Sequence, residues 1–165
     1  MPTYQADTET VATQSITSNE LADELLEEVT GVNYVDVIQT VISSMEQENS
    51  AMVSKTNAGH LWKFKYGSVE VFVQLTGSTD DDTLTVWASV LNLPAKNEPE
   101  LMRKLLEMNS AETFESRFAI INNQVILITT RTVAELSPGE ISRAITVVAT
   151  IADNNDDLLQ EQFGQ

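Results

Sequence analysis

Few side chains in this sequence are suited to covalent or metal chemistry. It has one histidine, His60, and no cysteine. A histidine base needs a nucleophile and an orienting acid beside it. Nothing in the sequence marks such partners for His60, which reads as a strand-end surface residue. Without thiols there is no disulfide, thiolate metal site or cysteine nucleophile, and a single imidazole removes most zinc chemistry. Two acidic clusters offer oxygen ligands: Asp80-Asp81-Asp82 and Asp153-Asn154-Asn155-Asp156-Asp157. A calcium loop of the EF-hand kind needs alternating ligands, a central glycine and a closing glutamate. Neither cluster has that layout; the first reads as a polar hairpin tip, the second as a solvated helix face. The six glycines are too scattered for a phosphate-cradling loop. The expectation is therefore a protein that is not an enzyme, with no catalytic residue, no metal and no cofactor.

Charge narrows the partners. The chain of 165 residues has 25 Asp and Glu against 9 Lys and Arg, a net charge of −16. Residues 1–54 hold ten acids and no base, and residues 144–165 hold four acids and no base. Such ends are either solvated helix faces that keep the protein soluble, or a screen that repels phosphate and selects basic partners. Both readings argue against nucleic acid, which needs a basic face, and against anionic lipid. The N-terminus carries Asp7 and Glu9 where a signal peptide needs positive charge. The uncharged stretch from Ala144 to Ala152 is too short to span a bilayer. These features predict a cytoplasmic protein with no membrane contact.

With 42% hydrophobic residues the chain can bury a core. Residues 1–18 show no apolar period and read as a flexible tail; residues 19–165 read as a single domain. A capping box at Thr17 and Glu20 opens a short helix that Gly31 ends. Tyr34, Val35, Ile38, Val41, Ile42, Met45, Met52 and Val53 keep a helical period, predicting a helix that runs on towards Asn57-Ala58-Gly59. The period then falls to two. Trp62, Phe64 and Tyr66 alternate with Lys63 and Lys65; after Gly67-Ser68, Val69, Val71, Val73 and Leu75 alternate with Glu70, Phe72 and Gln74. A two-residue turn sets Tyr66 opposite Val69, Phe64 opposite Val71, Trp62 opposite Val73 and Lys65 opposite Glu70. A third strand is predicted over Thr83–Leu91. A helix follows over Glu98–Met108, with Asn109 as its cap, and then a hairpin of Thr113–Ile121 and Gln124–Thr132 turning at Asn122-Asn123. The last helix opens with Ser137-Pro138-Gly139-Glu140. The predicted fold is α+β: a five-stranded antiparallel sheet with helices packed on it, in the order α-βββ-α-ββ-α.

The second face of this sheet is the candidate interaction face. It carries Lys63, Lys65, Glu70, Gln74, Thr85, Ser89 and Arg117, and among these polar residues stand Phe72 and Trp87. Large aromatics on a polar face mark a contact surface, unless the Pro99 helix covers them within the monomer. A dimer in which that helix and this face meet their symmetry mates satisfies both readings.

The element order, the segment LWKFKYGSVEVFVQL, the Leu105-Leu106-Glu107-Met108-Asn109 helix end and the long terminal helix resemble the YbjN-like family over about residues 34–160. That family is similar in fold to class I type III secretion chaperones of the CesT kind. The resemblance implies a non-enzymatic, chaperone-like homodimer that binds a polypeptide segment or client protein. The alternative is a small-molecule or signal-sensing regulatory domain, which needs a pocket between helix and sheet.

Overall fold

The computed structural model describes residues 31–165. The predicted tail over 1–18 and the short helix leading to Gly31 lie outside the described residues. Three helices and six strands follow among the described residues: α1 (Tyr34–Met45), β1 (Met52–Thr56), β2 (Gly59–Tyr66), β3 (Val69–Leu75), β4 (Thr83–Asn92), α2 (Glu98–Ala111), β5 (Arg117–Ile121), β6 (Gln124–Thr132) and α3 (Pro138–Phe163). The strands form one antiparallel sheet in the order β1-β2-β3-β4-β6-β5. The fold is α+β as predicted, but the sheet has six strands, not five.

The additional strand is β1, in a stretch whose period reads as helical. Asn33 caps α1, its Oδ1 accepting from the Asp36 N–H at 3.2 Å, and the helix buries Ile38 and Ile42. Beyond Met45 the segment Glu46–Ser50 has no apolar side chain to bury, and Glu48 and Asn49 turn left-handed. Met52 and Val53 stand seven and eight positions after Met45, a spacing that matches two helical turns by coincidence. They begin a strand instead, which turns at Asn57-Ala58 and pairs with β2 from Met52↔Lys63 to Thr56↔Gly59. Gly59 takes φ +100 there, where a Cβ would strike the Leu75 carbonyl oxygen. All five residues of β1 are exposed, so no buried-and-exposed alternation marks the strand.

The β2–β3 hairpin has the predicted register: Trp62↔Val73, Phe64↔Val71, Lys65↔Glu70 and Tyr66↔Val69. In β3 the buried Val69, Val71, Val73 and Leu75 alternate with Glu70, Phe72 and Gln74, so one slip would turn that buried set out of the core. Trp62, Phe64, Val71, Val73, Val86, Ala88 and Leu127 form the sheet's side of the core. The apolar stripe of α3 covers it with Ile141, Ala144, Ile145, Val148, Ala152 and Leu159, and α1 packs between α3 and β2. Each buried aliphatic or aromatic side chain of this kind contributes about 1.5–3 kcal/mol. The Ser137–Glu140 capping box forms as the sequence predicts, and Arg131 donates to Glu140 at 2.9 Å. Asn122 and Asn123 both take the left-handed conformation in the β5–β6 turn (φ 50 and 62).

Two boundaries differ from the sequence reading. The strand predicted from Thr113 begins only at Arg117, because Thr113–Ser116 is a turn that buries Thr113 and Ser116, leaves Phe114 exposed and is closed by the Ser116 N–H on the Thr113 carbonyl at 2.9 Å. The helix predicted to end at Met108 continues to Ala111, and Asn109 is not its cap. Its amide instead accepts from the Phe118 N–H at 2.7 Å and donates to the Phe118 carbonyl at 3.2 Å. This ties α2 to the free side of β5, where Leu101, Leu105 and Met108 are buried.

Candidate interaction face

Strand register assembles the face. Met52 stands opposite Lys63, Lys63 opposite Phe72, Phe72 opposite Trp87, Trp87 opposite Ile128 and Ile128 opposite Arg117. This is one row of side chains crossing the whole sheet. Neighbours along each strand point to the opposite face, and those neighbours (Phe64, Val71, Val73, Val86, Leu127) are the ones buried under the helices. The four residues singled out from sequence, Lys63, Phe72, Trp87 and Arg117, therefore share a single cross-strand row.

Phe72 and Trp87 are half-buried and stacked, with ring centroids 5.3 Å apart and planes 9° from parallel. Such a pair adds about 0.5–1.5 kcal/mol beyond its buried area. Lys63 spans the next position, with Nζ 5.7 Å from the Phe72 centroid and 2.8 Å from the Glu70 carboxylate. Arg117 is exposed and makes no ion pair among the described residues. Beside Trp87 lies a depression of ≈ 270 Å³, walled by Gln74, Thr85, Ile126 and Ile128. The Pro99 helix does not cover Phe72 and Trp87, as one reading of the sequence had it. Leu101, Leu105 and Met108 of α2 join the core on the opposite side, together with Phe118 and Leu127.

Ile126 and Ile128 are residues of this face that sequence reasoning missed. They lie in the run Val125-Ile126-Leu127-Ile128, apolar at every position, so its alternation is invisible until the pairing with β4 assigns the faces. Met52 was missed because its strand was read as helix.

Of the other chemistry-bearing groups, His60, Asp82, Asp153, Asp156 and Glu115 are engaged in structure. The His60 ring is stacked on Trp62, centroids 5.4 Å apart. The Asp82 carboxylate accepts from the Thr76 hydroxyl (2.9 Å), the Thr79 N–H (2.9 Å) and the Thr79 hydroxyl (2.7 Å), bonds that hold its carboxyl below the usual range and close the β3–β4 loop. The Asp153–Asp157 cluster is not simply a solvated helix face. Asp156 is 3% exposed, and the Ser68 hydroxyl donates to Asp156 Oδ1 at 2.9 Å and to Asp153 Oδ1 at 3.0 Å. The Ser68 N–H also donates to Asp153. Burial raises the Asp156 carboxyl, a shift opposed by the Ser68 hydrogen bond. The pair thus fastens the β2–β3 turn to α3. Glu115 receives two bonds from Arg143, at 2.6 and 3.1 Å, which lower its carboxyl and fasten the Thr113–Ser116 turn to α3. Among the described residues no group of three or more metal-ligating side chains is placed to hold an ion. No helix among them is long and apolar enough to cross a membrane.

A six-stranded antiparallel sheet with three helices, its aromatic row on the face away from them, defines an α+β protein. The chain belongs to the YbjN family: residues 34–161 match the family model, which is described as "Putative bacterial sensory transduction regulator". No curated protein matches the chain. Among solved structures it is similar to one titled "Crystal Structure of the ExsC-ExsE Complex", with a TM-score of 0.55. The two are 16% identical, and the match covers 75% of this chain and 91% of the other. At that identity the likeness is one of fold.

Proposed function

We propose that this protein is a non-enzymatic, chaperone-like module that binds a polypeptide segment of a client protein, works in the cytoplasm and acts as a homodimer. The observation that carries the reading is the stacked Phe72–Trp87 pair, half-exposed on a sheet face opposite the one that carries the helices. Aromatic side chains present large contact area at low conformational cost, and they dominate the energetics of protein interfaces. Lys63 and Arg117 flank the pair in the same row and supply donors for backbone carbonyls or carboxylates. The solved structure of similar fold is itself a complex of two proteins.

A peptide array presented to the folded protein, beside titrations with ATP and duplex DNA, tests the reading. Peptide binding that Trp87→Ala weakens at least tenfold, without loss of the folded circular-dichroism spectrum, supports it. Micromolar binding of ATP or DNA with every peptide silent overturns it.

A second copy fits a different surface. Leu106 on the outer side of α2 is 69% exposed, and Ile120 and Ile121 on β5 are 51% and 45% exposed. Leu106 and Ile120 lie on α2 and on the helix side of β5, so a dimer centred on them leaves Phe72 and Trp87 open, whereas Ile121 also lines the depression beside Trp87.

The sensory reading rests on the depression beside Trp87 and on the family's description. Its ≈ 270 Å³ suits a small ligand rather than a drug-sized one. Quenching of Trp87 fluorescence by a small metabolite, with peptides silent, would favour it.

A further inference from the structure

We propose that β1 is the docking strand for the client, adding to it an extended segment that carries an acidic side chain opposite Lys55 and apolar ones opposite Val53 and Met52. This deepens the polypeptide-binding reading and rests on it. The sheet has two edges, β1 and β5, and an edge strand offers unpaired N–H and C=O groups to an incoming chain. They are not equally available. At β5 the Asn109 amide occupies both backbone groups of Phe118, and α2 lies alongside. At β1 every residue is exposed, Met52 at 69% and Val53 at 53%. The Glu46 carboxylate accepts from the Ala51 N–H at 2.6 Å and marks the near end of the open stretch, which runs from Met52 to Thr56.

The chemistry of the occupant follows from the side chains. Met52 heads the row that continues through Lys63 to Phe72 and Trp87, so a segment added at β1 extends the proposed binding face without a break. Val53 lies on the other face, exposed, opposite Trp62. Lys55 makes no ion pair among the described residues. A cross-strand carboxylate would satisfy it. A second copy of β1 cannot, because the stretch from Asn49 to Thr56 contains no acid. Lysine on an edge is also a standard guard against self-pairing. Overall charge favours a basic chain at long range, but contact at this edge favours a carboxylate. Antiparallel addition sets the order acidic, polar, apolar, apolar in the incoming segment.

The test uses the full chain and a nine-residue peptide with the core Glu-Thr-Val-Leu, its Lys-for-Glu counterpart, and two forms N-methylated at alternate residues in opposite phase. The expected result is that the Glu peptide binds and the Lys peptide binds about two- to fivefold more weakly. Lys55→Glu should reverse that order. One N-methylated form should lose binding while the other keeps it, since only alternate N–H groups of an added strand face β1. Amide exchange should slow within β1 and not at Ile120. Equal tolerance of both N-methylated forms, or indifference to Lys55→Glu, overturns the proposal. Binding that tolerates both yet fails in Trp87→Ala moves the client to the aromatic face and leaves polypeptide binding standing. Silence of the Glu peptide while array peptides bind rejects the β1 assignment alone; silence of every peptide rejects both readings. A change of sedimentation in Lys55→Glu without peptide would show a second copy on the edge, and would also overturn the proposal.

Discussion

The Asn109 side chain substitutes for a missing strand at Phe118: its amide accepts from the Phe118 N–H at 2.7 Å and donates to the Phe118 carbonyl at 3.2 Å. An amide side chain reproduces the donor and acceptor of a peptide unit, so α2 closes the β5 edge without adding a strand. Asn109→Ala should lower stability by about 1–3 kcal/mol, the cost of leaving buried polar groups unpaired. For a domain of this size that is ~2–4 °C of Tm per kcal/mol. The Phe118 amide should exchange faster in the variant; an unchanged rate would show the bond to be dispensable.

Asp156→Asn should raise Tm at pH 7. Burial lifts the carboxyl of Asp156 above its ordinary value of 3.8, so the folded state holds a proton more tightly than the unfolded one. Ionisation of Asp156 therefore costs stability as pH rises from 3.8 through the raised folded value. Asparagine keeps an acceptor for the Ser68 hydroxyl and carries no charge. The advantage of the variant should shrink as pH falls towards 3.8; thermal melts across pH 3.5–7 that show a constant offset would contradict the account.

Glu140 titrates in the opposite sense. The Ser137 N–H and the Arg131 guanidinium hold its carboxyl down at about 2, against an ordinary value of 4.5. Its contribution is present above 4.5 and fades as pH falls through about 2. Ser137→Ala, which removes the reciprocal cap, should cost about 0.5–2 kcal/mol at neutral pH. Denaturant melts of the wild type and Glu140→Gln should converge at the acid end, and a gap that persists there would sink the assignment.

Leu106→Glu should dissociate the proposed homodimer, since a desolvated unpaired charge at an interface costs several kcal/mol. Trp87→Glu should leave it assembled. Light scattering reads the outcome directly, with a monomer at 18.2 kDa. The reverse pattern would place the interface on the aromatic row, and a wild type that is monomeric at micromolar concentration would remove the dimer altogether.

The β2–β3 hairpin shows how far local pattern reaches. Its alternation and two-residue turn define register, face and partner for residues 59–75, and that register alone puts Lys63 beside Phe72. The capping box of α3 and the Asn122-Asn123 turn are equally legible, because each depends on neighbours a few residues away. Strand β1 is not legible: it buries nothing, so it has no face to write into its sequence, and Met52 and Val53 fall into step with the preceding helix. The role of Asn109 is hidden for another reason. A helix-terminal asparagine reads as a cap, and only the packing of α2 against β5 brings Phe118 within its reach.

The same division holds for the candidate site. By itself the sequence determined which residues are chemically suited to contact a partner, Phe72 and Trp87 with Lys63 and Arg117, and that they share a face, because period-two alternation assigns faces strand by strand. Tertiary structure decided that they share a row, that Ile128 stands between Trp87 and Arg117, and that Met52 extends the row to an open edge. Those relations depend on the order in which strands pair across the sheet: pairing between β4 and β6 is set by the packing of the core rather than by neighbours in the chain, and β1, which buries nothing, carries no alternation from which its pairing with β2 could be read.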